Sequence, residues 1–152
     1  MSSDPVHELA HDHEDLNRRV FEVGSVLRAL QRDGGDVALA LVTPLGDLRE
    51  QLFHHFAREE EGLFPFVADT VPELADQVGA MAQAHDAICG AVVRMFHLAA
   101  GNSELTPLVA IYERFETAYV AHAKTEAALL ESLNDHLVPE QRARLAALVD
   151  GL

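Results

Sequence analysis

The chain has 152 residues, 49% of them apolar, and a formal charge of −14 at neutral pH. That length suits a single domain over residues 1–152 with a sizeable core, and that charge argues against nucleic-acid partners and anionic membrane surfaces. No apolar run is long enough to span a bilayer, no basic leader followed by an apolar stretch opens the chain, and the single cysteine, Cys89, excludes an internal disulfide, so the expected compartment is the cytoplasm.

Asp4-Pro5 reads as an N-cap followed by proline at the first helical position. Behind it Leu9, His13, Leu16, Val20, Val23, Leu27 and Leu30 recur at spacings of three and four, the period of one helix face. Asp33-Gly34-Gly35-Asp36 stops this helix and caps the next. The second stripe runs Leu41, Leu45, Leu48, Leu52, His55, Glu59 and, after one step at Gly62, Phe66. Thr43-Pro44 could start a separate helix here. A continuous helix with a proline kink is preferred, because the register described below requires it.

Asp69-Thr70-Val71-Pro72 separates the third helix, with Leu74, Val78, Met81, His85, Ile88, Val92 and Met95 on its stripe. Gly101-Asn102-Ser103 precedes the fourth, with Leu108, Tyr112, Phe115, Tyr119, His122, Glu126, Leu129 and Leu133. Asn134 to Pro139 closes it, and Pro139 to Val149 reads as a short fifth helix. The expected fold is all-α: an up-down-up-down antiparallel four-helix bundle with a short C-terminal fifth helix.

Six ionisable residues stand on seams that should be apolar: His13, His55, Glu59, His85, His122 and Glu126. In an antiparallel hairpin, residues equally far from the turn share a height, at about 1.5 Å per residue. His13 and His55 each lie 21 residues from Gly34, and His55 and His85 each lie 15 from Thr70. His85 and His122 are likewise equidistant from the junction of Ser103 and Glu104. The four histidines therefore fall in one layer, and each glutamate follows its histidine by one turn.

One histidine in a core seam is ordinarily a satisfied core histidine. Two His-xxx-Glu pairs level with two further histidines are harder to obtain without a reason. The metal-free alternative, a buried polar network, leaves two carboxylates facing each other in low dielectric. Six ligands exceed what one open site needs, whereas two metals sharing both carboxylates as bridges use them all. Mixed imidazole and carboxylate ligation suits iron, and also manganese or zinc.

The run His55-Phe-Ala-Arg-Glu59-Glu60-Glu61-Gly-Leu63-Phe64-Pro65 resembles the H-x-x-x-E-E-x-x-L-F-P motif of the hemerythrin-like (HHE cation-binding) family. His122-Ala-Lys-Thr-Glu126 with Leu129-Leu130 is similar to its degenerate second copy. Asp12-His13-Glu14-Asp15-Leu16 resembles its first-helix motif, and His85 its third-helix histidine. The resemblance covers roughly Val6 to Leu133. It implies a non-haem di-iron centre, bridged by Glu59 and Glu126 together with an oxo, hydroxo or water ligand, with the four histidines terminal. It also implies partners such as dioxygen, nitric oxide or peroxide.

Two departures separate this chain from the family's oxygen carriers. Met81 stands where carriers have a second histidine, four residues before the one matched by His85, and the fourth-helix carboxylate is Glu126, four residues after His122 rather than an aspartate at five. One imidazole is therefore missing, leaving a position vacant, water-filled or taken by another residue.

Around the layer, Tyr119 reads as a core tyrosine with its hydroxyl satisfied, the alternative being a donor or ligand to the metal. Tyr112 reads as packing. Cys89, four residues after His85, reads as a structural thiol unless it approaches the metals. Glu60 and Glu61 read as a solvated face, with Glu60 the alternative outer acceptor for a ligand imidazole. His54 flanks the seam as a weak alternative ligand, and His7, His11, His97 and His136 read as surface. Phe56, Leu52, Phe64, Ile88 and Phe115 are expected to wall the pocket.

Three functions remain open from these residues. The first is a di-iron protein that binds or senses dioxygen or a related small ligand. The second is an enzyme acting on peroxide or nitric oxide, or an oxidase. The third is a metal-buffering or interaction bundle; Arg142 and Arg144 of the fifth helix are the only modest basic cluster near an end, and they read as a solvated face. Oligomeric state is not legible.

Overall fold

A computed structural model describes residues 4–150, so the ends of the expected 1–152 domain lie outside the described residues. The described residues are helical, joined by short turns. Helix α1 spans Pro5–Asp33, α2 Val37–Arg58, α3 Phe64–Thr70, α4 Ala75–Ala100, α5 Leu105–His136 and α6 Pro139–Asp150. A π turn, Glu59–Leu63, joins α2 to α3, and a 3-10 turn, Pro72–Leu74, leads into α4. None of these helices is long and apolar enough to cross a membrane.

The helix starts follow from their caps. Asp4 accepts from the Val6 amide at 3.1 Å, with Pro5 at the first helical position. Asp36 accepts from the Leu39 amide at 3.0 Å. Gly34 and Gly35, at φ 72° and 134°, make the turn between α1 and α2 in backbone regions that side chains disfavour. Asn102 takes φ 51° in the turn between α4 and α5, and its side chain accepts from the Ala38 amide at 3.2 Å, tying the two turns together.

Pro44 lies inside α2, and the helix passes through it, as the register argument requires. Pro65 has the larger effect. A proline ring crowds the carbonyl four residues before it and leaves that carbonyl without a donor. The widened π turn lies immediately upstream, closed by a bond from the Phe64 amide to the Glu59 carbonyl. The single step in the stripe at Gly62 is this π turn. Gly62 also lets α6 approach: a Cβ there would lie 3.2 Å from Val149 Cγ2 and 3.3 Å from the Leu148 carbonyl oxygen.

α1 packs against α2 and α5, and α4 packs against the same two, which is the up-down-up-down antiparallel bundle with α6 added across the π turn. The four stripes are buried as expected, except that Leu74 is half-buried. The core divides into two apolar clusters. One contains Leu16, Leu52, Phe56, Ile88, Phe115 and Tyr119, and the other Leu9, Leu63, Phe64, Met81 and Leu129. On α1, α4 and α5 the polar seam residues fall between the two, and on the second stripe His55 and Glu59 fall between Leu52 of the first cluster and Leu63 of the second, in the π turn.

Candidate metal centre

His13, His55, Glu59, His85, His122 and Glu126 meet in the layer between the clusters, and they are the buried polar residues among those described. Both glutamates have no exposed surface. Every histidine turns its Nε2 atom inward. His13 Nε2 lies 2.9 Å from Glu126 Oε2, and His55 Nε2 lies 3.0 Å from Glu126 Oε1 and 3.2 Å from Glu59 Oε2. His85 Nε2 lies 3.1 Å from Glu59 Oε1, and His122 Nε2 lies 3.3 Å from Glu126 Oε2. The Nε2 atoms of His85 and His122 are 3.0 Å apart.

These contacts form two groups of potential ligands: His13, His55, Glu59 and Glu126, and Glu59, His85, His122 and Glu126. Within each group, one ligand atom from every residue lies within 4.8 Å of the others. The groups share both carboxylates. Among the described residues, no other group of three or more such side chains converges to that extent.

The outward nitrogens are held differently. His85 Nδ1 donates to Glu60 Oε1 at 3.3 Å. This outer contact orients the ring so that Nε2 faces Glu59 Oε1. His55 Nδ1 lies 3.7 Å from Asp12 Oδ2, an ionic contact longer than a hydrogen bond. Asp12 itself accepts from Arg58 Nη1 at 2.6 Å. The Phe56 ring stacks on His85 with centroids 3.5 Å apart and planes 5° apart, and Phe64 covers His85 at 5.5 Å.

The hydrogen bonding of this layer is incomplete. Both oxygens of Glu59 and Oε2 of Glu126 are buried without a hydrogen-bond partner. Orphaned carboxylate oxygens in a core carry a large desolvation cost. Nitrogen lone pairs lie about them, so a cation would satisfy oxygens and nitrogens together. The donor set therefore fits a bound metal.

Electrostatics in the metal-free layer are divided. Burial, assisted by the charge of His55, depresses His13 to about 4. Burial and His85 likewise depress His122 to about 4. Burial acts downward on His55 too, but the charges of Glu59 and Asp12 outweigh it and hold His55 up at about 9. Burial would raise Glu59, and the neighbouring His55 and His85 reverse that, holding it at about 2. His13 and His122 are thus neutral at pH 7, the form a metal needs.

The surrounding residues sort as follows. Tyr119 donates to Asn17 Oδ1 at 2.8 Å, so its hydroxyl is satisfied as in the core reading. Tyr112 lies over Gly24, with its hydroxyl 3.0 Å from the Val20 carbonyl oxygen. Cys89 is half-buried, and burial pushes its thiol up to about 12, the state of an inert structural cysteine. Met81 is buried in the apolar cluster one turn before His85. Glu60 takes the outer-acceptor role, while Glu61, His54, His7, His11, His97 and His136 are exposed. Asp12 and Arg58 stand in the sequence only within the motif runs, with no role of their own assigned, and Asn17 is not singled out; all three lie around the layer. Asp12 lies beside His13 and Arg58 beside Glu59, a weak signal that adjacency alone offers.

A four-helix bundle whose middle layer is built from buried imidazoles and unsatisfied carboxylates belongs to the class of metal-binding bundles. Residues 4–145 match the hemerythrin HHE cation binding domain, nearly the whole chain, and the chain belongs to that family. No curated protein and no solved structure gave a significant match.

Proposed function

We propose that this protein holds two iron ions in the buried layer and uses them to bind or sense dioxygen or a related small ligand, such as nitric oxide or peroxide. The observation that carries the reading is the sharing of Glu59 and Glu126 between two groups of potential ligands. His13 and His55 would hold one ion, His85 and His122 the other, and the two glutamates would bridge them. The mixed nitrogen and oxygen donor set and the family membership support iron. Bound there, the irons would supply one-electron redox chemistry toward a small ligand.

The chain's own residues do the rest. Glu60 would hold a proton on the outer nitrogen of His85 when the inner nitrogen ligates an ion. The charge of Asp12 faces the outer nitrogen of His55 at longer range, and a metal would displace the proton that Glu59 and Asp12 hold on this ring. Phe56 and Phe64 cover His85 on the α4 side of the layer, and the apolar clusters lie above and below it. Tyr119 stays engaged with Asn17 and supplies packing rather than a ligand.

A second reading, an enzyme turning over peroxide or nitric oxide, has one observation in its favour. α4 brings a single imidazole to the layer, because buried Met81 stands one turn before His85. Both readings begin from one experiment: metal content and a visible spectrum of protein purified without chelators, before and after anaerobic reduction and return to air. The expected result is about two irons per chain, with near-ultraviolet bands that bleach on reduction and return in air. A flat spectrum after iron reconstitution overturns the di-iron reading. Repeated consumption of peroxide or nitric oxide separates enzyme from binder.

A further inference from the structure

The chain has nine histidines, and five of them lie outside the buried layer. Three of these five, His7, His11 and His54, line one cleft of about 640 Å³, together with Asp12, Arg58 and Asp150. The cleft is bounded by α1, α2 and the end of α6. His7 and His11 are four residues apart on α1, so they share one face, with Cβ atoms about 5–6 Å apart. Two imidazoles at that spacing can grip a single ion. His54 comes from the neighbouring helix. All three rings are exposed, and the packing of the bundle does not require them.

The inner end of this cleft stops one side chain short of the buried layer. Asp12 lines the cleft and lies 3.7 Å from His55 Nδ1. The guanidinium of Arg58 is paired with Asp12 and Glu8, at 2.6 and 3.6 Å, so it does not stand as an uncompensated positive charge against an arriving cation. One side chain therefore separates a histidine-lined cleft from an imidazole of the centre.

We propose that this cleft is a second, weaker site for a divalent transition-metal ion, held by His7, His11 and His54, and that ions reach the buried layer through it. The first half of the proposal is independent of the reading of the buried layer; the second half rests on it. The donors explain the weakness. The buried ligands are already converged, whereas the three cleft imidazoles must give up rotamer freedom to close on an ion. Such a site binds loosely and exchanges quickly, as a loading site must. The overall charge of −14 raises the cation concentration around it.

The test uses Zn²⁺ alone on the full chain, with binding stoichiometry followed by calorimetry and the rate of filling by stopped-flow competition with a coloured chelator. Three proteins are compared: wild type, His7→Ala/His11→Ala/His54→Ala, and Glu59→Gln/Glu126→Gln. Thermal melts establish that each is folded. Wild type is expected to show tight uptake plus one weak equivalent. The triple histidine variant should lose the weak equivalent and reach the same tight content about tenfold more slowly. The double glutamate variant should lose tight uptake and keep the weak equivalent. Retention of either the weak equivalent or the wild-type filling rate in the triple variant overturns the proposal. A wild type with the weak equivalent and no tight uptake instead overturns the metal-centre reading of the buried layer, so the two failures are distinguishable.

Discussion

His85 shows at one residue how the layer is built. Its outer nitrogen donates to Glu60, its inner nitrogen faces Glu59 and His122, and Phe56 lies flat on its ring. Ring position is set by neighbours before any ion arrives, which is the preorganisation that metal ligands need. Removing one converging group should then cost metal directly. Glu59→Ala and His122→Ala are expected to fall below two ions per chain, and His97→Ala, an exposed residue, is expected to keep the wild-type content. Elemental analysis of the three purified variants decides; equal loss in all three would sink the assignment.

The same residues set a pH dependence for the metal-free protein. His13 and His122 have folded values near 4 against an ordinary 6.5, so the unfolded chain binds their protons more readily. Their contribution is complete above about 6.5 and is lost as pH falls toward 4. His55 works in the opposite sense. Held up at about 9, it contributes fully below 6.5 and its contribution is lost as pH rises through 9. Metal-free protein should therefore melt highest near pH 6.5 and lower on both sides. A melting temperature flat from pH 4 to pH 9 in chelator-treated protein would contradict these assignments.

At the scale of elements, the π turn between α2 and α3 is where the second helix could not be read as regular. The stripe from Leu41 to Glu59 obeys the helical period, and the helix boundaries and turns followed from Gly34-Gly35, Pro72 and Gly101-Asn102 because those residues act locally. The extra residue of the π turn has no such mark in a list of apolar positions. A one-residue step is within the scatter of spacings of three and four. Its cause, Pro65 crowding a carbonyl, and its consequence, α6 seated on Gly62, become clear only once the backbone is placed. Asp12, Asn17 and Arg58 were opaque for a related reason: their roles depend on which helix each one faces. Because α6 approaches Gly62 so closely, a branched side chain there should force it away. Gly62→Val is expected to destabilise the protein by about 1–3 kcal/mol, the usual cost of overpacking. Urea titration reads the loss, and limited proteolysis should find α6 cut first. Unchanged stability with α6 still protected would contradict this packing.

For the whole molecule, the division of the core decides how strongly fold and metal are coupled. Two apolar clusters lie one on each side of the polar layer: α1, α4 and α5 contribute to both, α2 to the first, and the π turn, α3 and α6 to the second. Their burial does not depend on an ion, so the bundle should stay folded without metal, unlike a small domain held together by its metal alone. The layer between them has the opposite character. Two fully buried carboxylates, with three of their four oxygens lacking a hydrogen-bond partner, depend on the neighbouring imidazoles alone for compensation until a cation satisfies them. Chelator-treated protein should therefore keep its helical circular dichroism and melt cooperatively, but at a lower temperature than the metal-loaded form. At a free metal concentration one hundred times the dissociation constant, linkage makes the difference about 2.7 kcal/mol for one site. Glu126→Gln separates the two contributions, because it removes one buried charge and one ligand together. Without metal it should be at least as stable as wild type, and added metal should raise its melting temperature less. Melts of both proteins, with and without the ion, give all four numbers. A variant less stable than wild type in the metal-free state and equally stabilised by metal would mean that Glu126 serves packing and hydrogen bonding rather than the ion.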